Sequence, residues 1–185
     1  MYFQSGFNLS ELMIGIAILG ISLTIAIPSF TNVTSSNQLS AQASEIQTAL
    51  NLARNEAIRL NERVVFCHSA NQSTCSAPSS SGWQGWIIRR AGASIGAETG
   101  TVLRQGIIDS NKVRVTSDSV FSGAQHLIVY NPQGLARSFT ENSPLSAQIQ
   151  VCIANPNVTE NLYNIRFNSG GRSEIVRVKN SGVCP

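Results

Sequence analysis

The feature that most constrains this chain is a run of 16 residues, 12–27, reading LMIGIAILGISLTIAI, with no charge and only Ser22 and Thr24 as polar side chains. Counted from Phe7 the stretch is 21 residues long, and Glu11 is its only charged group. As a helix rising about 1.5 Å per residue it is roughly 32 Å long, close to a hydrocarbon core of about 30 Å. A helix apolar on every side has no face to offer water, which excludes an ordinary amphipathic surface helix. A secretory signal peptide is also a poor match. It would have a basic residue before the run and small residues after it, whereas no Lys or Arg precedes this run and Pro28 and Phe30 follow it. The run is therefore expected to stay in the mature chain as a single membrane-spanning helix.

Glu11 then needs an explanation. A carboxylate at mid-membrane costs about 2.5–3.5 kcal/mol unless it lies near the interface or meets a cation. Residues 1–10 hold no Lys, Arg or His, but cutting between Gly6 and Phe7 would create an ammonium group four residues from Glu11. The string Gly6-Phe7-Asn8-Leu9-Ser10-Glu11-Leu12 and the apolar run after it resemble the type III signal of type IV pilins and pseudopilins. That resemblance implies that residues 1–6 are a leader removed by a prepilin peptidase and that Phe7 becomes the N-methylated first residue. It also implies that Glu11 pairs with the amine of a neighbouring subunit during assembly. Asn8 and Ser10 stand where Thr or Ser and an aliphatic residue are commoner in the family, and the leader lacks the usual basic residue.

Beyond Pro28, which is expected to kink the helix, Leu39, Ala43, Ile46, Leu50, Ala53, Ala57 and Leu60 recur in alternating steps of four and three. This is one narrow apolar stripe on a helix. Alanine at three of the seven positions suits close packing on a sheet better than a coiled-coil seam. One continuous helix over residues 7–61 is expected. Short β-branched or aromatic runs follow at 63–68, 86–89, 100–104, 113–116, 125–130, 148–153, 163–167 and 174–179, separated by turn-rich stretches. The class is α+β: a type IV pilin-like fold, with a long N-terminal helix packed on a C-terminal β-sheet head. The expected divisions are 1–6 leader, 7–28 membrane and fibre-core helix, 29–62 amphipathic helix half and 63–185 β-rich head.

Several head motifs carry a second resemblance: Ala53-Arg54-Asn55-Glu56-Ala57-Ile58, Val65-Phe66-Cys67, Gly85-Trp86, Val102-Leu103-Arg104 and Asn131-Pro132-Gln133-Gly134. In order and spacing they resemble the heads of FimT/FimU-type minor pilins and of GspH-type pseudopilins. The chain is expected to be a structural subunit near the tip of a bacterial type IV pilus that helps to initiate assembly. A GspH-type pseudopilin of type II secretion is the alternative. Either role implies an inner-membrane protein with a periplasmic head before assembly. Its partners would be other minor pilins, the major pilin, the inner-membrane assembly machinery and the prepilin peptidase.

Four cysteines beyond a membrane anchor suggest disulfides in an oxidising compartment, and four allow three pairings. Cys67 and Cys75 enclose only seven residues, and Cys184 lies one residue from the end, where a bond to Cys152 would tie down the tail. Pairing Cys67–Cys75 and Cys152–Cys184 is the expectation. Zinc at Cys67, His68 and Cys75 is the rival, without CxxC spacing or a second nearby histidine in its favour. No cofactor and no metal are expected. Catalysis has little material: His68 and His126 are the only histidines, Asp109 and Asp118 the only aspartates, and neither a nucleophile elbow nor a P-loop is present.

All 13 Lys and Arg residues lie at Arg54 or later. Arg166, Arg172, Arg177 and Lys179 fall within 14 residues near the end, and Arg177 and Lys179 would share one strand face. FimT-like proteins of naturally transformable bacteria carry Gly-Arg-x-Arg in this tail for binding DNA. Here Gly171-Arg172-Ser173-Glu174 has an acid at the second arginine's position. A solvated strand face with ordinary surface arginines therefore ranks ahead of a DNA site, which stays as an alternative. The leader yields a direct prediction: mass measurement on membrane-extracted protein should show loss of residues 1–6 and one added methyl group, whereas an intact Met1 on assembled, functional protein would contradict it.

Overall fold

The computed structural model describes residues 8–92, 100–139 and 141–185, and leaves the side chains of residues 23–29 undescribed. Gly6 and Phe7, the expected cleavage pair, lie outside the described residues. So does the side chain of Pro28, although helical backbone runs through that position. The chain divides into two units, Met1–Thr34 and Ser35–Pro185. Helix α1 (Leu9–Leu60) begins in the first and ends in the second. Asn61 at φ 53° stops it, because a residue in the left-handed region cannot extend the helical hydrogen-bond ladder.

The second unit builds two antiparallel sheets. One has five strands in the order β3-β2-β1-β5-β6, from β1 (Val64–His68), β2 (Gly85–Arg90), β3 (Val102–Ile107), β5 (Leu127–Tyr130) and β6 (Ala136–Arg137). The other has four in the order β4-β7-β8-β9, from β4 (Arg114–Ser117), β7 (Ala147–Cys152), β8 (Leu162–Phe167) and β9 (Ser173–Val178). A one-turn helix, α2 (Ser119–Gly123), links the two sheets.

Three details depart from the sequence expectations. Strand β5 starts at Leu127 instead of residue 125, because Gln125 and His126 sit at φ 60° and 57°, a turn conformation no strand residue adopts. Strand β3 runs over 102–107 instead of 100–104, in register with β2 across an irregularity at Ile88 and Arg89. Helix α2 and the two-residue β6 were not expected, being too short for periodicity to register. Asp118 makes α2 possible: one carboxylate oxygen accepts from the Phe121 N–H at 2.7 Å, and the other from the Gln148 N–H at 3.0 Å on β7.

The helical stripe is the inner wall of the head. Leu39, Ala43, Ile46, Leu50, Ala53 and Ala57 are fully buried, Ala49 joins them, and Leu60 is half-buried. They share one core with Val64, Phe66, Ile88, Ile128 and Tyr130 of the five-stranded sheet and with Val115, Ile149, Val151, Ile165 and Phe167 of the four-stranded one. A row of aromatic rings joins the sheets inside that core. Phe66 stacks on Trp83 with centroids 6.0 Å apart, Trp83 on Phe121 at 5.9 Å, and Phe121 meets Phe167 edge-on at 5.4 Å. The opposite face of the five-stranded sheet is also buried, over Val65, Cys67, Ile87, Leu127, Val129 and Phe139. This explains why β1 and β5 read as continuous apolar runs instead of alternating.

Two disulfides close the fold, Cys67–Cys75 with Cα atoms 5.7 Å apart and Cys152–Cys184 at 5.6 Å. Buried Asn161 helps to hold the second, donating to the Val183 carbonyl at 3.0 Å and accepting from the Asn180 N–H at 3.0 Å.

His126 sits at the end of the aromatic row. Trp83 Nε1–H donates to the Ser117 hydroxyl at 3.0 Å, so that hydroxyl is free to donate to His126 Nδ1 at 3.1 Å. Burial, and then the charge of the His68 ring, push the His126 pKa below its ordinary value. The unfolded chain therefore takes up a proton more readily than the folded one. The neutral ring's contribution to stability is complete above about pH 6.5 and is lost as pH falls through the lowered folded value.

Two predictions follow from this packing. Phe121→Ala should lower the unfolding free energy of the detergent-solubilised chain by about 3–5 kcal/mol and Ala53→Leu by about 1–3 kcal/mol, read from denaturant midpoints. Val120→Ala, at an exposed α2 position, should change it by less than about 0.5 kcal/mol. The thermal midpoint should also fall between pH 7.5 and pH 5, and His126→Gln should flatten part of that fall; an unchanged slope would contradict the assignment.

Candidate assembly helix and basic tail

In the first unit the chain enters α1 at Asn8, whose carbonyl accepts from the N–H groups of Glu11 at 3.0 Å and Leu12 at 3.2 Å. Glu11 occupies the first turn, where a negative charge is favoured by the helix dipole. Its side chain is exposed and has no hydrogen-bond or ion-pair partner among the described residues. Leu9, Leu12, Met13, Ile14, Ile16, Ile18, Leu19 and Ile21 are 59–74% exposed. At that spacing they cover every side of the helix. Ser22 turns its hydroxyl back onto the Ile18 carbonyl at 2.9 Å, which hides the polar group of an otherwise apolar segment.

Among the described residues no helix is long and apolar enough to cross a membrane. The membrane-spanning helix expected over residues 7–28 falls only partly within that described set. Phe7 and the side chains of residues 23–29 belong to that span and lie outside the described set.

The basic tail does not form one surface. In the β8–β9 pair Arg166 stands directly opposite Glu174, whereas Arg177 stands opposite Tyr163. Opposed residues share a face and successive residues alternate, so Arg166 and Arg177 point to opposite sides of the sheet. Glu174 supplies a countercharge to Arg166. Arg177 lies 5.4 Å from the Tyr163 ring centroid and its Nη1 is 3.9 Å from Glu160 Oε2. Arg172 is exposed in the turn between the strands, and Lys179 is exposed just past the end of β9. Arg166 and Arg172 thus line one pocket together with the acidic Glu174, whereas Arg177 lies on the other face of the sheet and Lys179 beyond its last strand.

The glycine motifs have structural work. Gly134 at φ 73° closes the turn after β5, and its carbonyl accepts from Arg54 Nε of α1 at 3.0 Å. Gly171 at φ 77° closes the β8–β9 turn, where a Cβ would collide with that same Gly134 carbonyl oxygen. Gln47 Nε2 donates to the Ser173 carbonyl at 3.1 Å, and the Ser173 hydroxyl to Asn51 at 3.1 Å. Sequence reading passed over Gln47 and Asn51, since their partners come from a turn more than 120 residues away.

The histidines are similarly engaged. His68 is fully buried, with Nδ1 2.8 Å from the Ser76 carbonyl and Nε2 2.8 Å from Gln84 Oε1, so it has no route to a substrate. The thiols beside it are spent in the disulfide, and no cluster of three or more metal-ligating side chains occurs among the described residues.

Known proteins match this architecture. A family model described as Type II transport protein GspH matches residues 42–182. Among solved structures the chain is similar to the type IV minor pilin FimU of Pseudomonas aeruginosa strain PAO1 in two crystal forms. In space group P21 the identity is 16% and the TM-score 0.53, covering 83% of this chain and 96% of that one. In space group P65 the values are 15% and 0.50, covering 79% and 96%. At this identity the likeness speaks for the fold. Comparison with curated proteins finds no match. The family model spans most of the chain, including the helical stripe from Ala43 onward, both sheets and the aromatic row between them, and the chain belongs to the GspH family, with the fold of a FimT/FimU-type pilin.

Proposed function

We propose that this chain is a minor pilin of a bacterial type IV pilus: a structural subunit placed near the tip, where it helps to initiate assembly. The observation that carries the reading is one helix with two kinds of surface. Its residues 39–57 present a stripe buried in the head, while the side chains from Leu9 to Ile21 are apolar and exposed on all sides, with Glu11 in the first turn. An apolar segment of that kind requires lipid or the helices of other subunits around it. Before assembly the helix anchors the subunit in the inner membrane with its head in the periplasm; the prepilin peptidase removes residues 1–6 and Phe7 is methylated. In the fibre the exposed Glu11 carboxylate accepts the terminal ammonium of a neighbouring pilin, whether another minor pilin or the major one. The inner-membrane assembly machinery then acts on a ready-made apolar rod.

A GspH-type pseudopilin of type II secretion is the second reading, favoured by the description of the matching family. DNA uptake finds less support, since Arg166 faces Glu174 and Arg177 is engaged by Tyr163 and Glu160.

Deleting the gene and scoring surface pili and twitching beside protein secretion tests the choice. Sparse pili, lost twitching and intact secretion are expected, with rescue by the native gene and failure of rescue by Glu11→Ala although its head folds normally. Lost secretion with normal pili would overturn the pilus reading in favour of the pseudopilin.

A further inference from the structure

The turn between β8 and β9 sets four polar side chains at the corners of a square. Arg166 stands opposite Glu174 in the strand register. Two residues beyond Arg166, the Asn168 N–H donates to the Arg172 carbonyl at 3.0 Å, and the Asn168 side-chain oxygen accepts from the Arg172 N–H at 3.2 Å. Positions two apart on a strand share a face, so Asn168 and Arg172 come to the same side of the sheet as Arg166 and Glu174. All four line a cavity of about 390 Å³, completed by Phe167 and Ser173. The two arginines take one diagonal of the square, with backbone positions about 7–8 Å apart, and Glu174 and Asn168 take the other.

This square is open to solvent and firmly seated. Arg166, Asn168, Arg172 and Glu174 are all exposed, so a ligand reaches each of them directly. The turn beneath them is fixed: Gly171 packs against the Gly134 carbonyl, Gln47 of α1 donates to the Ser173 carbonyl, and the Ser173 hydroxyl donates to Asn51. Arg166 and Glu174 do not close into an ion pair, and neither guanidinium meets a carboxylate among the described residues. Glu98, the one acid outside those residues, belongs to the connection between β2 and β3 in the other sheet.

We propose that this square receives a protein segment carrying an acidic side chain, presented by a neighbouring subunit. The proposal rests on the reading of the chain as a fibre subunit. A carboxylate on the arginine diagonal accepts from both guanidinium groups, in charge-assisted bonds about twice as strong as neutral ones. Glu174 accepts a main-chain N–H of the same segment. Asn168, its oxygen already engaged, keeps its amide N–H groups to donate to a main-chain carbonyl. Glu174 also sets the specificity, because it repels a phosphate or a run of phosphates at the same corner while a single carboxylate balances the charge.

Two measurements test this on the full chain. In detergent, with 15N-labelled arginine, N-acetyl-aspartic acid amide should move the Nε–H resonances of Arg166 and Arg172 together and leave that of Arg104, exposed on β3, in place. The neutral N-acetyl-asparagine amide, and sodium phosphate at equal ionic strength, should move them far less. In cells, Arg166→Gln combined with Arg172→Gln should lower the share of this subunit in sheared pili by about tenfold, the loss expected for one charge-assisted contact. The membrane pool and the thermal midpoint should stay at wild-type levels, because both side chains are exposed. Wild-type incorporation of the double variant, or resonances indifferent to the aspartate probe, would overturn the proposal. Phosphate or duplex DNA moving them further than the aspartate probe would overturn it in favour of a phosphate ligand. Should the double variant fail to fold, the aspartate titration of the unaltered chain decides alone. A full aspartate response with the unaltered chain absent from pili would overturn the pilin partner and the fibre reading, leaving an acidic-peptide site with another occupant.

Discussion

The seam of small residues along α1 is the contact on which the head depends. Ala43, Ala49, Ala53 and Ala57 are buried to within 2% of complete exclusion from solvent, between the larger Leu39, Ile46 and Leu50. Alternating small and large side chains lets the helix settle close to two sheets at once without voids or overlap. Each sheet alone would leave an apolar face uncovered, and neither pairs with the other through backbone hydrogen bonds. The helix and the aromatic row from Phe66 through Trp83 and Phe121 to Phe167 fasten them instead. Polar contacts from Gln47, Asn51 and Arg54 to the Ser173 and Gly134 turns then fix the position of the helix along the sheets.

Much of this was legible in the residues. The alternating steps of four and three over 39–60 announce a helix with one buried stripe, and β-branched runs announce the strands, because both periods come directly from backbone geometry. What escaped was set by contacts distant in sequence. Helix α2 exists because Asp118 caps it while also holding Gln148 of β7, and no local pattern carries that second bond. The start of β5 moved because two consecutive residues, Gln125 and His126, adopt a conformation rarely taken by side-chain-bearing residues.

The candidate site was legible in the same uneven way. Glu11 and the apolar run stand out because a lone carboxylate in such a run is costly. The tail cations looked like a cluster because they are close in sequence, but strand register separates Arg166 from Arg177 and sets Glu174 against the former. Register depends on the Asn168–Gly171 turn, whose backbone bonds a one-dimensional reading does not see.

The account's central claim is that the helix half over residues 39–57 belongs to the head's cooperative core and is not a separate stalk on which the sheets sit. Amide hydrogen exchange on the full chain in detergent tests it most directly. The account predicts that the amides of Leu39 to Ala57 exchange in the same slow class as those of β1, β5, β7 and β8, and that all of them lose protection together in rising denaturant. Helical amides that open at lower denaturant while the strands stay protected would contradict it.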